Sequence, residues 1–134
     1  MPHKILVVDD DILVLEALQE LFTSAGYGVK TATRGQEALE MLDQEHFDLL
    51  ILDVVMPKMT GFDICREVRK RDDEKGKVKI IMLTAKTEPK DHKIGEECGC
   101  DLYLTKPIDP RELKELVHST LGASGSNTTI QGYS

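Results

Sequence analysis

The segment at residues 47–57 constrains the fold more than any other part of the chain. It holds four consecutive apolar residues, 49–52, that run directly into a carboxylate at Asp53. A continuous apolar run of this length is typical of a strand buried on both faces of a parallel sheet. Pro57 ends the segment, because proline cannot donate a hydrogen bond to a sheet ladder. Asp53 is therefore predicted at the carboxyl edge of the sheet, where open α/β sheets bind ligands.

Four more apolar segments of strand length occur along the chain. In the segments between them, apolar residues recur at helical spacing. The strands are predicted at residues 4–8, 29–32, 78–83 and 101–105. The helices are predicted to end near Ala25, to span 36–44, to follow Gly61, to span 89–98, and to run from Asp109 to Gly122. This alternation predicts an α/β protein: a single-domain flavodoxin-like (βα)5 fold, with a five-stranded parallel sheet in the order 2-1-3-4-5 and helices on both faces.

Helix one has a predicted cap, a predicted stop and a predicted core face. Asp10 or Asp11 is expected to cap its start, because a side-chain oxygen there accepts from free backbone N–H groups. Gly26 is expected to end it in the left-handed conformation. Its core face is predicted to consist of Val14, Leu18, Leu21 and Ala25, widened by Leu15 and Phe22.

Two other segments are predicted to contribute little to the core. Helix four has the weakest apolar face, with only Ile94 and Cys98 standing out, so we expect it to be the least well anchored helix. The charged run at residues 69–77 is typical of a solvated helix end and loop, and is not predicted to be a binding site.

Length and charge narrow the class of protein. The 134 residues suit one domain, predicted at 1–122, and residues 123–134 are expected to be a disordered tail, the start of a linker or an artificial extension. A formal net charge of -7 argues against nucleic-acid binding by a basic surface of this domain. No apolar run could span a bilayer and no signal peptide is present, so we expect a cytoplasmic protein with no membrane partner.

The three cysteines are expected to be reduced. An odd number without framework spacing fits a reducing compartment. Cys98 and Cys100 could form a redox or metal pair, but no histidine or further cysteine lies nearby in sequence to complete a zinc site. Small packing residues in a helix-to-strand turn are the favoured interpretation.

The predicted strand order brings five polar residues to one edge of the sheet: Asp9, Asp10, Asp53, Thr84 and Lys106. Carboxylates this close repel one another unless a cation is present, and Mg²⁺ prefers such oxygen ligands. A lysine and a hydroxyl opposite them suit the oxygens of a phosphoryl group in transfer. No serine, cysteine or histidine is placed as a nucleophile, which leaves a carboxylate as the acceptor.

Each of these residues also has a structural explanation. The aspartates could be caps and turn formers, Thr84 a strand-end residue and Lys106 a surface cation. One such residue alone would not indicate a site. Their occurrence together at adjacent strand ends, beside an apolar strand that ends in Asp53, favours a phosphoryl-transfer site.

With these motifs the chain resembles the response-regulator receiver domains of two-component signalling, which have the CheY-like fold. The matching motifs are ILVVDD at 5–10, LILDVVMP at 50–57 with Gly61, LTA at 83–85 and YLTKP at 103–107. The resemblance covers about residues 4–121 in the right order and spacing. It implies the transfer of a phosphoryl group to Asp53 from a sensor histidine kinase or a histidine phosphotransfer protein.

The resemblance also implies a role for each site residue. Asp10, Asp53 and the backbone carbonyl of Val55 would bind Mg²⁺, with Asp9 acting through water and Mn²⁺ able to substitute. Thr84 and Lys106 would hold the phosphoryl oxygens. Further implied features are a small residue at Ala85, which leaves room for the phosphoryl group, and a cis peptide bond at Lys106-Pro107. Such a domain is not an enzyme beyond catalysing its own phosphorylation and dephosphorylation.

Tyr103 matches the switch aromatic of this family. The resemblance implies that phosphorylation draws Thr84 toward Asp53 and that Tyr103 turns inward. The face formed by helix four, strand five and helix five would then control a downstream protein or output domain, or form a homodimer. Val55 and Lys86 occupy the positions that tune water access, and Val55 cannot hydrogen-bond an attacking water, so we expect slow self-dephosphorylation.

Two alternatives come from other classes of protein. The acidic run after strand one resembles the nucleophile motif of small Mg²⁺-dependent phosphohydrolases of the haloacid-dehalogenase kind, with Asp9 as the phosphorylated residue. That class needs a second acidic pair and a cap domain, neither of which is evident. A flavodoxin-like cofactor binder is disfavoured, because an acidic loop would repel a phosphate without a metal.

Overall fold

Five parallel strands form one sheet in the order β2-β1-β3-β4-β5, as predicted. The computed structural model describes residues 3–122, so the tail predicted at 123–134 lies outside the described residues. The strands are β1 (Lys4–Val8), β2 (Gly28–Ala32), β3 (Leu49–Leu52), β4 (Lys79–Thr84) and β5 (Leu102–Thr105). The helices are α1 (Ile12–Ser24), α2 (Gly35–Gln44), α3 (Gly61–Arg69), α4 (Pro89–Cys98) and α5 (Pro110–Gly122), with a short 3₁₀ helix at Glu74–Lys77.

Apolar side chains of the central strands fill both faces of the sheet. One cluster packs beneath α2, α3 and α4, and includes Leu50, Leu52 and Ile64. The other packs beneath α1 and α5, and includes Ile51 and Phe22. Every residue of β3 is buried, which confirms that this apolar run is a strand covered on both faces.

Strand register brings the chemistry-bearing residues to a common edge. Val8 pairs with Leu52, so the residues that follow each strand emerge side by side. The backbone N–H of Asp53 donates to the carbonyl of Val8 at 3.0 Å, which extends this pairing to the first residue of the loop. At the far side Thr84 pairs with Thr105, and Lys106 follows directly.

Helix α1 differs in part from the prediction. Asp11 rather than Asp10 caps it, since its side chain accepts from the N–H of Leu13, and Gly26 adopts a φ of 98° as expected. The fully buried residues are Leu15 and Phe22, whereas Ala25 is exposed. The prediction for Ala25 was wrong because the helix ends at Ser24, one residue before it reaches the core-facing position.

The charged run at 69–77 is exposed at five of its nine residues, as expected of a solvated helix end and loop, but its other residues make contacts that the prediction missed. Arg69 donates to the carbonyls of Gly99, Gly76 and Val78. Arg71 and Lys75 likewise donate to carbonyls, those of Glu67, Leu42 and Asp43. Sequence alone gave no sign of this, because the carbonyls belong to helix ends and turns that only the fold brings alongside.

Helix α4 buries Cys98, as predicted, together with two residues that no apolar pattern reveals, Asp91 and Gly95. Ile94 is only partly buried. Within residues 3–122, none of the helices combines the length and the hydropathy needed to cross a bilayer.

Candidate functional site

Three carboxylates meet where β1 and β3 end. Oxygen atoms of Asp9, Asp10 and Asp53 all lie within 4.8 Å of one another. Asp9 and Asp53 are 3% and 8% exposed, whereas Asp10 is open to solvent. Hard oxygen ligands in this arrangement fit a divalent cation such as Mg²⁺, which keeps several waters and needs only a few protein ligands.

Lys106 is the cation on the opposite side of this cluster. Its Nζ lies 2.8 Å from Oδ2 of Asp9 and 3.4 Å from Oδ2 of Asp53. Burial disfavours the charged ammonium, but the hydrogen bond to Asp9 and the charge of Asp53 outweigh it and raise the pKa of Lys106. Lys106 is therefore protonated at neutral pH and holds a positive charge beside Asp53.

The loops that carry the carboxylates are fixed by short local contacts. The N–H of Asp11 donates to Oδ1 of Asp9 at 2.9 Å, and the N–H of Val55 donates to Oδ1 of Asp53 at 3.2 Å. Gly61 packs so closely that a Cβ there would collide with the backbone carbonyl of Asp53. The chain therefore returns close past the backbone of Asp53 as helix α3 begins.

Thr84 and Tyr103 are joined through one residue of the loop after β4. Thr84 is fully buried, and its Oγ1 accepts from the N–H of Lys86 at 3.3 Å. The carbonyl of Lys86 accepts from the hydroxyl of Tyr103 at 3.0 Å. This pair of hydrogen bonds connects the site edge with strand β5.

The structure thus brings together four of the predicted site residues as direct neighbours: Asp9, Asp10, Asp53 and Lys106. Thr84 ends β4 at the same edge, Ala85, Lys86 and Val55 are exposed there, and the Lys106-Pro107 bond is cis. The sequence analysis missed three packing contacts: that of Gly61 with the backbone of Asp53, and those of Gly95 and His92 with the ring of Tyr103. For Gly95 a signal existed, because glycine within a helix is unfavourable unless packing requires it.

The cysteines do not form a second site. Sγ of Cys65 lies 3.2 Å from the carbonyl oxygen of Cys98, and burial raises the pKa of both Cys65 and Cys100 to about 12. Thiols that resist ionisation are poor nucleophiles and poor metal ligands. Across the part of the chain that the structure describes, the three aspartates are the one group of metal-ligating side chains close enough to share an ion. The packing interpretation of Cys98 and Cys100 therefore fits the structure.

Comparison with known proteins gives a consistent result. The family model for the response regulator receiver domain matches residues 5–118. The chain is 44% identical over 119 residues to the probable transcriptional regulator ycf27 of Cyanidium caldarium, covering 89% of this chain and 46% of that protein. The chain thus spans about half the length of the curated relatives it matches.

Solved structures agree with these relatives. The chemotaxis protein CheY4 of Vibrio cholerae superimposes with a TM-score of 0.85 at 36% identity, covering 90% of this chain and all of that one. The receiver domain of a sensor histidine kinase from Pseudomonas aeruginosa, with a magnesium ion coordinated in its active-site cleft, gives a TM-score of 0.81 at 28% identity. That match covers 91% of this chain and 99% of the other.

Proposed function

This chain belongs to the response regulator receiver domains, and from that premise we propose that Asp53 is its phosphoacceptor. The observation that carries the proposal is the position of Asp53 at the end of a fully buried strand, with Lys106 at 3.4 Å and two further carboxylates within 4.8 Å. A rigid strand end with these neighbours supplies a nucleophile, a cation site and a positive charge within one small volume.

The charge balance supports a divalent cation. Three carboxylates face one ammonium, so an ion of two positive charges neutralises the cluster. Receiver domains bind Mg²⁺ at such an acidic pocket, and we infer that Asp10, Asp53 and the Val55 carbonyl are its ligands here. Lys106 lies closer to Asp9, at 2.8 Å, than to Asp53, at 3.4 Å, which favours the action of Asp9 through water. Mn²⁺, with the same preference for oxygen, is expected to substitute.

The proposed chemistry is a single displacement at phosphorus. A carboxylate oxygen of Asp53 attacks the phosphoryl group of a phosphohistidine, the P–N bond breaks, and the histidine nitrogen retains the electron pair. Lys106 and the Thr84 hydroxyl bind the phosphoryl oxygens, and the cation, when bound, neutralises charge developing on them. Water then hydrolyses the acyl phosphate, which releases inorganic phosphate and regenerates the Asp53 carboxylate, so that the modification acts as a reversible signal.

The donor is proposed to be a sensor histidine kinase or a histidine phosphotransfer protein. The output is proposed to pass through the face of α4, β5 and α5 to a partner protein, an attached domain or a second copy of the chain. Resemblance to a longer transcriptional regulator makes an attached output domain the leading candidate. A cytoplasmic location fits three cysteines that are all free thiols.

The hydrolase alternative gains no support from the family match, which identifies a receiver domain over residues 5–118. Its nucleophile would be Asp9, whose Oδ2 lies 2.8 Å from Nζ of Lys106, closer than the 3.4 Å between Lys106 and Asp53.

The proposal is tested by phosphorylation with Mg²⁺ and acetyl phosphate, followed by intact-mass measurement. We expect the wild type to gain one phosphoryl group and Asp53→Asn to gain none, because the substitution removes the carboxylate that is proposed as the nucleophile. Asp9→Asn is the matched control and should still accept the group, although more slowly. Phosphorylation that survives Asp53→Asn but is lost in Asp9→Asn would establish the hydrolase type instead.

A further inference from the structure

Tyr103 lies inward in this structure, with 8% of its surface exposed. Its hydroxyl donates to the carbonyl of Lys86, whose own N–H donates to Thr84. A phosphoryl group that moves Thr84 would therefore act on the same loop residue that holds the tyrosine. The contacts that hold the Tyr103 ring inward therefore determine how the Asp53 site is coupled to the face of α4, β5 and α5.

Gly95 provides the space for the ring. A Cβ at this position would lie 2.8 Å from Cδ2 of Tyr103, closer than carbon atoms can pack, and 3.3 Å from its Cε2, which is a tight contact. Glycine is among the poorest helix formers, yet it stands inside α4 where the ring packs. The absence of a side chain at Gly95 is therefore a requirement of the inward tyrosine.

His92 covers the ring from the same helix face. The centroids of the His92 and Tyr103 rings are 4.2 Å apart, and the planes are inclined by 42°. Residues three positions apart on a helix share a face, so His92 and Gly95 lie beside each other against the tyrosine. The imidazole contacts the ring directly, and the glycine leaves the space that it occupies.

The surroundings of the Tyr103 hydroxyl favour its protonated form. Burial is the main cause, with the carboxylate of the buried Asp91 next, and together with smaller contributions they raise the pKa of Tyr103 to about 12. A protonated hydroxyl is the form that donates to a carbonyl. The Tyr103 hydroxyl is therefore protonated at neutral pH and able to donate to the carbonyl of Lys86.

We propose that His92 is a positioning residue which, with Gly95, holds Tyr103 inward whether or not Asp53 carries a phosphoryl group. The output face of α4 and β5 is then preset, and phosphorylation acts mainly on the Lys86 loop rather than on the tyrosine rotamer. Only the naming of Tyr103 as a switch rests on the proposed function; the contacts that hold the ring do not.

The primary test needs no phosphorylation. In protein labelled with ¹³C-tyrosine, NMR contacts between the Tyr103 ring and His92 should be present in the wild type without any phosphodonor. His92→Ala should increase the exposure of the Tyr103 ring to a paramagnetic solvent probe, and Gly95→Ala should do so more strongly. His92→Phe restores an aromatic contact and should return the ring to its shielded position.

His118→Ala is the matched control, because His118 is an exposed histidine on α5. It should leave the Tyr103 signals unchanged. If the ring is equally shielded in the wild type and in His92→Ala, the proposal is wrong. A wild-type ring that is exposed until a phosphoryl analogue binds would also overturn it.

A second measurement tests the coupling. Binding free energies at coupled sites are reciprocal, so loosening the tyrosine should weaken the binding of beryllofluoride at Asp53. We expect roughly a twofold to tenfold loss of beryllofluoride affinity in His92→Ala, the range typical of one lost aromatic contact, and recovery in His92→Phe. If the wild type binds no beryllofluoride, the proposed function fails while the exposure test still decides the role of His92.

Discussion

At the scale of single residues, Lys58 has a backbone conformation that its residue type rarely adopts. Within residues 3–122 it is the one non-glycine residue with a left-handed backbone, at a φ of 67°. It lies in the loop between Asp53 and α3, and its side chain is exposed. The strain is therefore in the backbone and comes from no buried contact of the side chain.

Two substitutions at Lys58 separate the cost of the backbone strain from the loss of the lysine side chain. Lys58→Gly should be more stable than Lys58→Ala by about 1 kcal/mol, because glycine adopts positive φ without a Cβ clash. Urea unfolding of both variants measures the difference in the free energy of unfolding. Equal stabilities would mean that the loop relaxes to another conformation when the lysine is removed.

Val55 determines a second residue-level prediction. Its side chain is 52% exposed beside Asp53, and it offers no hydrogen bond to a water attacking the phosphoryl group. Val55→Asn should accelerate the loss of phosphate by roughly fivefold to tenfold, the effect of one hydrogen bond of about 1 kcal/mol in the transition state. Phosphate release from phosphorylated protein gives the rate. Val55→Leu, which keeps the apolar character, should remain slow, and an unchanged rate in Val55→Asn would count against this role.

At the scale of secondary-structure elements, Arg69 connects α3 to three other segments. Its guanidinium binds the carbonyls of Gly99, Gly76 and Val78 and pairs with Asp101 at 3.2 Å. These contacts fix the carboxyl end of α4, while Glu88 at its amino end makes no side-chain capping hydrogen bond. Helix α4 is therefore anchored mainly at its carboxyl end, while its amino end has no side-chain cap.

Arg69→Met should lower the free energy of unfolding by about 2–4 kcal/mol, because several carbonyls and Asp101 lose their partner. Arg66→Met is the matched control on the same helix. Among residues 3–122, Arg66 pairs with Asp63 alone, at 3.4 Å on the surface, so its loss should cost less than about 1 kcal/mol. Denaturant unfolding distinguishes the two, and similar losses would show that Arg69 is no more important than a surface arginine.

Gly61 links α3 to the site. Gly61→Ala forces a Cβ against the backbone of Asp53, so the loop must shift or α3 must start later. We expect a loss of roughly 1–3 kcal/mol in stability, typical of overpacking, and weaker Mg²⁺ binding. Gly122→Ala is the control, because a Cβ there meets nothing within 4 Å. Unchanged Mg²⁺ affinity in a folded Gly61→Ala would show that the close approach does not position Asp53.

At the scale of the whole molecule, repulsion among Asp9, Asp10 and Asp53 opposes folding until a cation binds. Mg²⁺ at ten times its dissociation constant should therefore stabilise the domain by about 1.4 kcal/mol, which raises the melting temperature by roughly 5 °C. Calorimetry with and without the metal measures the shift. Asp10→Asn should abolish most of it, whereas Asp72→Asn, exposed in the loop after α3, should retain it. A shift that persists in Asp10→Asn would place the ion elsewhere.

The sequence by itself determined the layers of the fold and the chemical character of the site. Apolar runs of strand length identify buried parallel strands, because only such strands need both faces apolar. Asp53 and Lys106 could be placed from sequence because each directly follows such a strand. Strand direction and order then put both at one edge of the sheet, and the structure confirms their proximity at 3.4 Å.

Tertiary structure alone decided where long-range polar contacts form. The partners of Arg69 lie between seven and thirty-two residues away in sequence, so no local pattern encodes them. The packing of the Tyr103 ring likewise depends on the distance between α4 and β5. That distance determines whether His92 contacts the ring and whether a side chain at Gly95 would collide with it. Periodicity reports which face of an element is buried. Periodicity does not reveal which carbonyl or ring of a neighbouring element a side chain will contact, because that depends on how the elements pack against each other.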